Sequence, residues 1–441
     1  MRMSGLSLDS MPPLFIPLRF FLTAPWFGGL AALLLLLNSD DILASRWSNE
    51  MLAFTHLLTL GFMMMIMTGA LFQFIPVITG HSIPGTKKIT PIIHIGLIVG
   101  TFLLVTAFLV KTAIFFQLAV IFLFLAVGLF AIALTRLLLT NIIGREAIFV
   151  LRLVNIALFI TLGLGLYMAI AYAFPDLAIP FRRYTDIHLM WGLLGWTILL
   201  IMAVSSQVIP MFYVTPSFPA LYLRGLSTGI IVILMLLSWF YLSQSQTHTQ
   251  TQGNAELLWW GELLFSLEIL FFCFYTFFML NQRKRKVKDI TINFWRLALM
   301  MPVIAVLVYW SNDSLWHIAA ERLEILLGML LIFGFTISSI IGMLQKIVSF
   351  IVYLHLQRLS MSHPMGMGLL PNMQTLISVK SQEVQFYLHL STILLLAISI
   401  FYNAWTPLAA LMMLLDFMWL AYNLTRCAKT YLELEKKIKA A

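Results

Sequence analysis

The stretch His56–Gly80, HLLTLGFMMMIMTGALFQFIPVITG, has the length and apolar composition of a membrane span, yet it also carries a histidine, a glutamine and a proline. The pattern recurs in His188–Pro210, HLMWGLLGWTILLIMAVSSQVIP. A weaker third copy is the stretch 334–345, GFTISSIIGMLQ. In each copy a glycine precedes an aromatic residue, and a glutamine follows eleven or twelve residues after that glycine. This recurrence predicts three copies of one structural unit.

The composition is typical of a polytopic membrane protein. Hydrophobic residues make up 61% of the sequence, charged residues only 10%, and the mean hydropathy is +0.96. Soluble domains carry roughly a quarter charged residues. The two cysteines, Cys273 and Cys427, exclude a disulfide framework and a cysteine-rich metal site. The net charge of +9 comes from basic residues in loops beside the spans, so no nucleic-acid partner is expected.

Twelve segments have the roughly 20 apolar residues that a membrane span needs. They are 14–38, 51–77, 91–110, 113–138, 149–174, 186–212, 224–243, 255–280, 292–311, 321–354, 384–402 and 405–424. Because lipid cannot hydrogen-bond to an open backbone, all twelve are predicted to be helices, and the fold class is all-α. We expect a single transmembrane domain, 1–441, made of three parallel four-helix repeats. These repeats are approximately 14–138, 149–280 and 292–424, and a short basic tail, 425–441, follows them.

The distribution of lysine and arginine predicts the orientation. One set of loops, with the C-terminal tail, holds Lys87, Lys88, Arg136, Arg145, Arg224, the run 283–286, Lys288, Arg358, Lys380, Arg426, Lys429, Lys436, Lys437 and Lys439. The opposite set holds Arg46, Lys111, Arg182, Arg183 and Arg322. The positive-inside rule therefore places both termini in the cytoplasm, as an even number of spans also requires. The expected location is a bacterial inner membrane.

His56 and His188 are the first candidates for a functional role, because each lies near the outer end of the second helix of its repeat. Ionisable side chains inside a membrane are costly and usually face the bundle interior or a cavity. Neutral imidazole is also a common ligand of metals and haem iron. The alternative is that each histidine forms a hydrogen bond between helices.

Further polar side chains lie inside the predicted spans. Gln73 and Gln207 recur toward the inner half of their helices, where they either line a polar path or bond across helices. Glu262 and Glu268 in the eighth span and Asp416 in the twelfth indicate a proton relay or a cation site, with pairing to nearby arginines as the alternative. Glu262 and Glu268 are about 9 Å apart along the helix axis and on different faces, so they are not a catalytic pair.

Twelve helices in three parallel four-helix units, with a histidine near the outer end of the second helix, resemble the catalytic subunit of the haem–copper oxidase superfamily. The chain is also similar to the NnrS-like haem–copper membrane proteins. That similarity lies in the opening 14–37, LFIPLRFFLTAPWFGGLAALLLLL, in the segment 50–52, and in the later Pro76 and Gly80. The resemblance implies haem b on His56 and copper on His188, and His317 would approach the metal from a loop.

The sequence departs from the oxidase pattern at the other ligands. The oxidases carry histidines on helices 7 and 10, whereas residues 224–246 and 319–353 contain none. An oxygen-reducing centre is therefore not expected, and a single haem, a lone metal site or no cofactor remain open. The leading hypothesis is a haem- or copper-binding inner-membrane protein in respiratory or nitrosative-stress physiology, with a redox or membrane-protein partner. The alternatives are a secondary transporter or channel, and a cofactor-free structural subunit.

Overall fold

The chain is a multi-pass, all-α membrane protein. The computed structural model describes residues 11–140, 146–177, 182–243, 252–285 and 287–440. Within these ranges twelve helices are long and apolar enough to cross a membrane, so the predicted number of spans is confirmed. They are α1 (Phe15–Leu37), α2 (Asn49–Thr79), α3 (Thr86–Val110), α4 (Ala113–Leu138), α5 (Glu146–Ala173), α6 (Tyr184–Tyr213), α7 (Ala220–Ser243), α8 (Glu256–Asn281), α9 (Thr291–Trp316), α10 (Ala320–Ser362), α11 (Val379–Phe401) and α12 (Asn403–Ala440). Helices of this kind imply a lipid bilayer environment.

The last helix continues well beyond its predicted end. The basic segment 425–441 was expected to be a short tail, and it is helical as far as Ala440. Ile438 near its end is fully buried and packs against Gly366. Four short helices lie between the spans: Ser39–Ala44, Pro175–Leu177, Pro364–Leu369 and Met373–Leu376.

The helices form two compact units. Unit 1 contains the chain up to Ser82, the segment Lys288–Ala298 and the chain from Ile318 onward, which includes α1, α2, α10, α11 and α12. Unit 2 contains Ile83–Val287 and Leu299–His317, which includes α3 to α8. The start of α9 therefore belongs to unit 1 and the rest of α9 to unit 2. In unit 1, α12 packs along α1, α10 and α11; in unit 2, α5 packs against α4, α6 and α7.

Glycines in unit 1 let phenylalanine rings approach a helix backbone closely. A Cβ atom at Gly61 would lie 2.5 Å from the Phe27 ring on α1. One at Gly342 would lie 2.5 Å from Phe294 Cβ on α9. Gly61 and Gly342 therefore serve close helix packing in unit 1.

Three of the spans contain an eight-residue π-helical segment. These segments are Leu57–Met64 in α2, Met190–Thr197 in α6 and Leu330–Ile337 in α10. Each includes the glycine and aromatic pair of the recurring sequence pattern. Two shorter π-helical segments, Phe124–Gly128 and Asn312–Trp316, occur elsewhere in unit 2. Because π-helical turns often occur at functional sites, residues next to the three long segments are candidates for a functional site.

Candidate functional site

A serine, a histidine and an aspartate form a hydrogen-bonded chain in the middle of unit 1. The Nδ1 atom of His389 on α11 lies 2.7 Å from Oδ2 of Asp416 on α12. Its Nε2 atom lies 2.8 Å from Oγ of Ser338 on α10. All three side chains are fully buried. His389 is at least ten residues from either end of α11, and Asp416 is more than ten residues after the start of α12. The chain thus joins three helices at the depth where charge is most costly.

The Gln385 side-chain amide forms further hydrogen bonds with the aspartate. Gln385, one turn before His389 on α11, donates to Asp416 Oδ1 at 2.5 Å and to the Asp416 backbone oxygen at 2.9 Å. The ring of Phe333 stacks on the imidazole, with 5.1 Å between ring centroids and 19° between planes. Asp416 therefore has a polar partner on each carboxylate oxygen, and an aromatic ring covers the imidazole.

The order Ser–His–Asp is that of a hydrolase triad, but the surroundings differ. A nucleophilic serine needs access for the substrate carbonyl, and the Ser338 side chain has no exposed surface. Its Oγ lies 3.5 Å from the Phe333 carbonyl oxygen, so the hydroxyl has a second acceptor besides His389. Rotation of this hydroxyl lets it donate to His389 when the imidazole is neutral, or accept from it when the imidazole is protonated. The arrangement suits proton storage better than acyl transfer.

Buried polar groups continue along α10 from Ser338 toward the end of the helix near Ser362. Gln345 and Ser349 follow Ser338 by seven and eleven residues, which places all three on one face, about 10 and 16 Å along the axis. Gln345 is fully buried, and its Oε1 atom has no hydrogen-bond partner among the described residues. Ser349 donates to the Gln345 backbone oxygen at 3.0 Å. Buried polar side chains thus form a stripe along one face of α10 over about 16 Å of its length.

A second polar group lies beside the stripe, between α11 and α12. Ser381 Oγ donates to Asn423 Oδ1 at 2.5 Å, and Trp419 Nε1 donates to the Ser381 backbone oxygen at 3.0 Å. Asn423 follows Asp416 by two turns and therefore lies on the same face of α12. Its Nδ2 atom is buried, and no described residue forms a hydrogen bond with it. The polar side chains around His389 thus extend toward the end of unit 1 where α11 begins.

An ion pair lies at that same end of unit 1. Lys346 on α10 pairs with Asp289, which precedes α9 and also accepts from the Thr291 hydroxyl at 2.6 Å. Burial alone would raise the pKa of the Asp289 carboxyl. The Lys346 ammonium and the bonds from Thr291 outweigh that effect and hold this pKa below its usual value. The Lys346 ammonium, although buried, is therefore compensated.

The two histidines singled out from the sequence are both bonded to backbone carbonyls. His56 in unit 1 donates from Nδ1 to the Leu52 oxygen at 2.7 Å, within its own helix. His188 in unit 2 donates from Nδ1 to the Thr161 oxygen of α5 at 3.0 Å, which is a bond between helices, the alternative considered beside metal ligation. Because a carbonyl only accepts, each Nδ1 carries the proton and each neutral ring has its lone pair on Nε2.

The glutamines differ in their surroundings. Gln73 in unit 1 is buried, and its Oε1 atom has no partner in the part of the chain that the structure describes. Gln207 in unit 2 is half-buried, and its Nε2 atom lies 3.4 Å from Ser206 Oγ. Their role in a polar path stays a prediction.

The two glutamates have different neighbours in unit 2. Glu262 accepts a hydrogen bond from Tyr309 at 2.7 Å, so its partner is a phenol and not Arg152, which donates to the Leu138 oxygen. Glu268 lies against Gly229, and its Oε2 atom is buried without a hydrogen-bond partner within the described ranges. His317 is exposed, in a left-handed backbone conformation with φ of 49°. Within the described residues, no three His, Cys, Asp or Glu side chains are grouped so that they could hold a metal ion.

The central role of His389 was not predicted, although the sequence contained a signal for it. Asp416 was recognised as a buried carboxylate, but its partner was not. Tyr402 is the turn between α11 and α12. His389 precedes it by thirteen residues and Asp416 follows it by fourteen, so a tight helical hairpin brings the two to the same depth. Only the rotation of the helices, which the sequence does not give, decides that they face each other.

No family model matches this sequence, and no curated protein matches it.

Proposed function

We propose that this protein moves or couples protons across a membrane, with the His389–Asp416 pair as the proton-binding site. The proposal belongs to the transporter class considered from the sequence. It rests on one observation: a fully buried imidazole–carboxylate pair within hydrogen-bond distance in the middle of three membrane-spanning helices. Ionisable groups at this depth are rare and mark proton relays and ion pathways.

The charge of the pair explains why the ligand is a proton. With Asp416 ionised and His389 neutral, the buried pair carries a net charge of −1, which a low-dielectric interior disfavours. One proton converts it to a neutral ion pair, or to a neutral acid beside a neutral imidazole. Ser338 fits either state, because its hydroxyl donates to the Nε2 atom of a neutral imidazole, or accepts from a protonated Nε2 while donating to the Phe333 carbonyl oxygen. The pair can therefore take up and release one proton without rearranging its helices.

The polar stripe favours exchange of this proton with one end of unit 1. Gln345 and Ser349 on α10, together with Ser381 and Asn423, all lie between His389 and the end where α11 begins. Under the predicted orientation that end is cytoplasmic. Proton entry from the other side then requires a conformational change, as alternating access does.

Proton flux into liposomes tests the proposal. Full-length protein is reconstituted with a pH-sensitive dye inside, and a potassium diffusion potential drives protons inward. We expect flux above that of empty liposomes, and at least a tenfold loss in Asp416→Asn and in His389→Ala. The matched control is Glu433→Gln, an exposed carboxyl change on the same helix, which should leave the flux unchanged. Flux equal to that of empty liposomes, or full flux in Asp416→Asn, contradicts the proposal.

A second candidate function is ligation of haem or copper by His56 and His188. The Nδ1 bonds to backbone carbonyls favour it, because metal-bound histidines commonly donate their other ring nitrogen to such an acceptor. His56 also directly precedes the π-helical segment of α2. The donor chemistry fits an axial ligand. The face of α2 that carries Gly61 fits a flat cofactor less well, because the Phe27 ring already covers this glycine.

An absorption spectrum of protein purified from haem- and copper-replete cells tests this second candidate. A Soret band that sharpens on reduction and is lost in His56→Ala supports a haem on His56. Copper without a Soret band, lost in His188→Ala or His317→Ala, supports a metal site in unit 2. A colourless, metal-free sample contradicts both assignments and leaves the proton proposal intact.

We also propose the threefold repeat and the oxidase-like arrangement that the sequence suggests. The three long π-helical segments support the repeat, since they occur in α2, α6 and α10, the second helix of each predicted repeat, and the oxidase-like arrangement rests on the sequence resemblance alone. The bacterial inner membrane and the cytoplasmic termini are proposals from charge alone. Of the basic residues used, Arg145 and Lys286 lie outside the described residues, as do the side chains of Arg182 and Arg183. Labelling of single introduced cysteines from either side of the membrane tests the orientation.

A further inference from the structure

Aromatic rings and a carboxylate meet at the end of unit 2 where α8 begins and α9 finishes. Trp259 is edge-to-face with Trp310, with 5.6 Å between ring centroids and 86° between planes. It is also edge-to-face with Trp260 at 4.8 Å. Trp310 is in turn edge-to-face with Tyr309 at 5.5 Å. We call these four rings, each edge-to-face with at least one of the others, the aromatic cluster.

The cluster is held in place by hydrogen bonds. Trp310 Nε1 donates to Ser266 Oγ at 3.0 Å, and Ser266 Oγ donates to the Glu262 backbone oxygen at 2.7 Å. Tyr309 donates its hydroxyl to Glu262 Oε2 at 2.7 Å. The two rings of α9 are therefore fixed against α8 before any ligand arrives, which lowers the entropic cost of binding.

The carboxylate in the cluster has no cation. In the parts of the chain that the structure describes, no lysine or arginine forms an ion pair with Glu262, although Glu146 and Glu324 have such partners. A second acidic group, Asp313, lies near enough to Tyr309 to act on it electrostatically. Aromatic residues alone are expected at a membrane interface, but an interfacial belt does not need an uncompensated carboxylate held among its rings.

The cluster is also accessible. Trp259 is 45% exposed, Trp260 is 54% exposed and Tyr309 is 37% exposed. Ring faces attract a cation through their quadrupole, and methylated ammonium groups are the ligands that aromatic cages bind best. The Glu262 carboxylate adds a negative charge, which attracts a cation and gives no advantage to a neutral apolar ligand.

We propose that Glu262, Trp259, Tyr309 and Trp310 form a binding site for an organic ammonium ion of the trimethylammonium class. The ligand is either a free small cation or the headgroup of a lipid, since both present the same chemistry. The site lies wholly in unit 2 and does not rest on the proton site of unit 1.

Binding of radiolabelled choline to the full-length protein tests the proposal. The protein is placed in nanodiscs made only of phosphatidylglycerol, which has no ammonium group. We expect saturable binding of radiolabelled choline. Unlabelled choline should compete with it at least tenfold more strongly than 3,3-dimethylbutanol, the uncharged analogue of choline. Binding should be about tenfold weaker in Glu262→Gln and in Trp259→Leu, as loss of a charge or of a ring face predicts.

Matched variants separate the site from general effects on the fold. Glu256→Gln changes an exposed carboxylate on the same helix, and Trp26→Leu changes a tryptophan that is 56% exposed in α1. Both should bind choline as the unaltered protein does. Absence of saturable binding, equal binding by Glu262→Gln, or equal competition by the uncharged alcohol would overturn the proposal.

A second set of nanodiscs identifies the source of the ammonium group. If a lipid headgroup is the ligand, adding phosphatidylcholine to the nanodiscs should weaken choline binding at least tenfold by competition. If a free cation is the ligand, choline binding should stay unchanged. Either result supports the ammonium site, provided that Glu262→Gln has lost binding in the first experiment.

Discussion

The Nδ1 atom of His389 lies 2.7 Å from the Oδ2 atom of Asp416, and neither side chain has any exposed surface. The two residues come from successive antiparallel helices, and Ser338 from a third helix closes the far side of the imidazole. The pair therefore ties the interior of unit 1 together as well as offering a site for a proton. Its structural and functional contributions can be measured separately.

Removing the carboxylate of this pair should destabilise unit 1. Asp416→Ala leaves the His389 Nδ1 atom buried without its partner, while Gln385 keeps only its bond to the backbone oxygen of residue 416. Breaking a buried ion pair in this way costs on the order of 3 kcal/mol. Asp416→Asn keeps an oxygen acceptor and should cost less than half as much, while still abolishing proton flux. Reversible unfolding in detergent measures both. An unfolding free energy unchanged by Asp416→Ala would show that the pair does not hold the helices together.

The ion pair between Asp289 and Lys346 should make stability depend on pH in the acid range. The pKa of Asp289 is lower in the folded protein than its usual value, so the unfolded chain binds a proton at a higher pH than the folded protein does. The stabilisation is complete above the usual aspartate pKa of about 4 and is lost as pH falls through the lower folded value.

Thermal unfolding of the unaltered protein and of Asp289→Asn, measured between pH 3 and pH 7, checks this pH dependence. The variant should be less stable at pH 7 and should show a smaller loss of stability on acidification. Asp40→Asn, at an exposed carboxyl group of unit 1, is the control and should retain the full acid-range slope. Equal slopes for Asp289→Asn and the unaltered protein would refute the assignment.

A methyl group at Gly165 should disturb His188. An added Cβ there would lie 2.9 Å from His188 Cε1, whereas a Cβ at Gly163 on the same helix meets no atom within 4 Å. We expect Gly165→Ala to shift the imidazole and to lengthen its bond to Thr161. Overpacking typically costs about 1–3 kcal/mol. Gly163→Ala should be neutral or slightly stabilising, as helix propensity predicts. Nitrogen-15 spectra of the histidines and unfolding free energies would show this difference, and matching results for the two variants would argue against the contact.

The close approach of α9 to α10 gives a comparable pair of variants in unit 1. A Cβ at Gly342 would lie 2.5 Å from Phe294 Cβ, while one at Gly328 on the same helix meets nothing within 4 Å. Gly342→Ala should therefore destabilise the protein by about 1–3 kcal/mol. Gly328→Ala should not destabilise it. The two melting temperatures in the same detergent check the prediction, which fails if both variants melt together.

Much of the fold could be predicted because its signals are local. The spans need only length and hydropathy, and the recurring glycine pattern identified the helices that contain the long π-helical segments. The site was predicted only in part. Asp416 was visible as a buried carboxylate, but its connection to His389 and Ser338 depends on how three helices rotate about their axes. A shift of one residue turns a side chain by about 100° and would separate the three.

The sequence by itself determined that the chain crosses a bilayer with twelve helices, because a lipid environment requires apolar side chains outside and hydrogen bonds satisfied within each helix. Only the tertiary structure decided which of the few buried polar groups meet. It joined His389 to Asp416, left Glu262 among aromatic rings and put Phe27 against Gly61. These contacts arise between successive helices, where packing of complementary shapes sets the angle, depth and rotation of each helix.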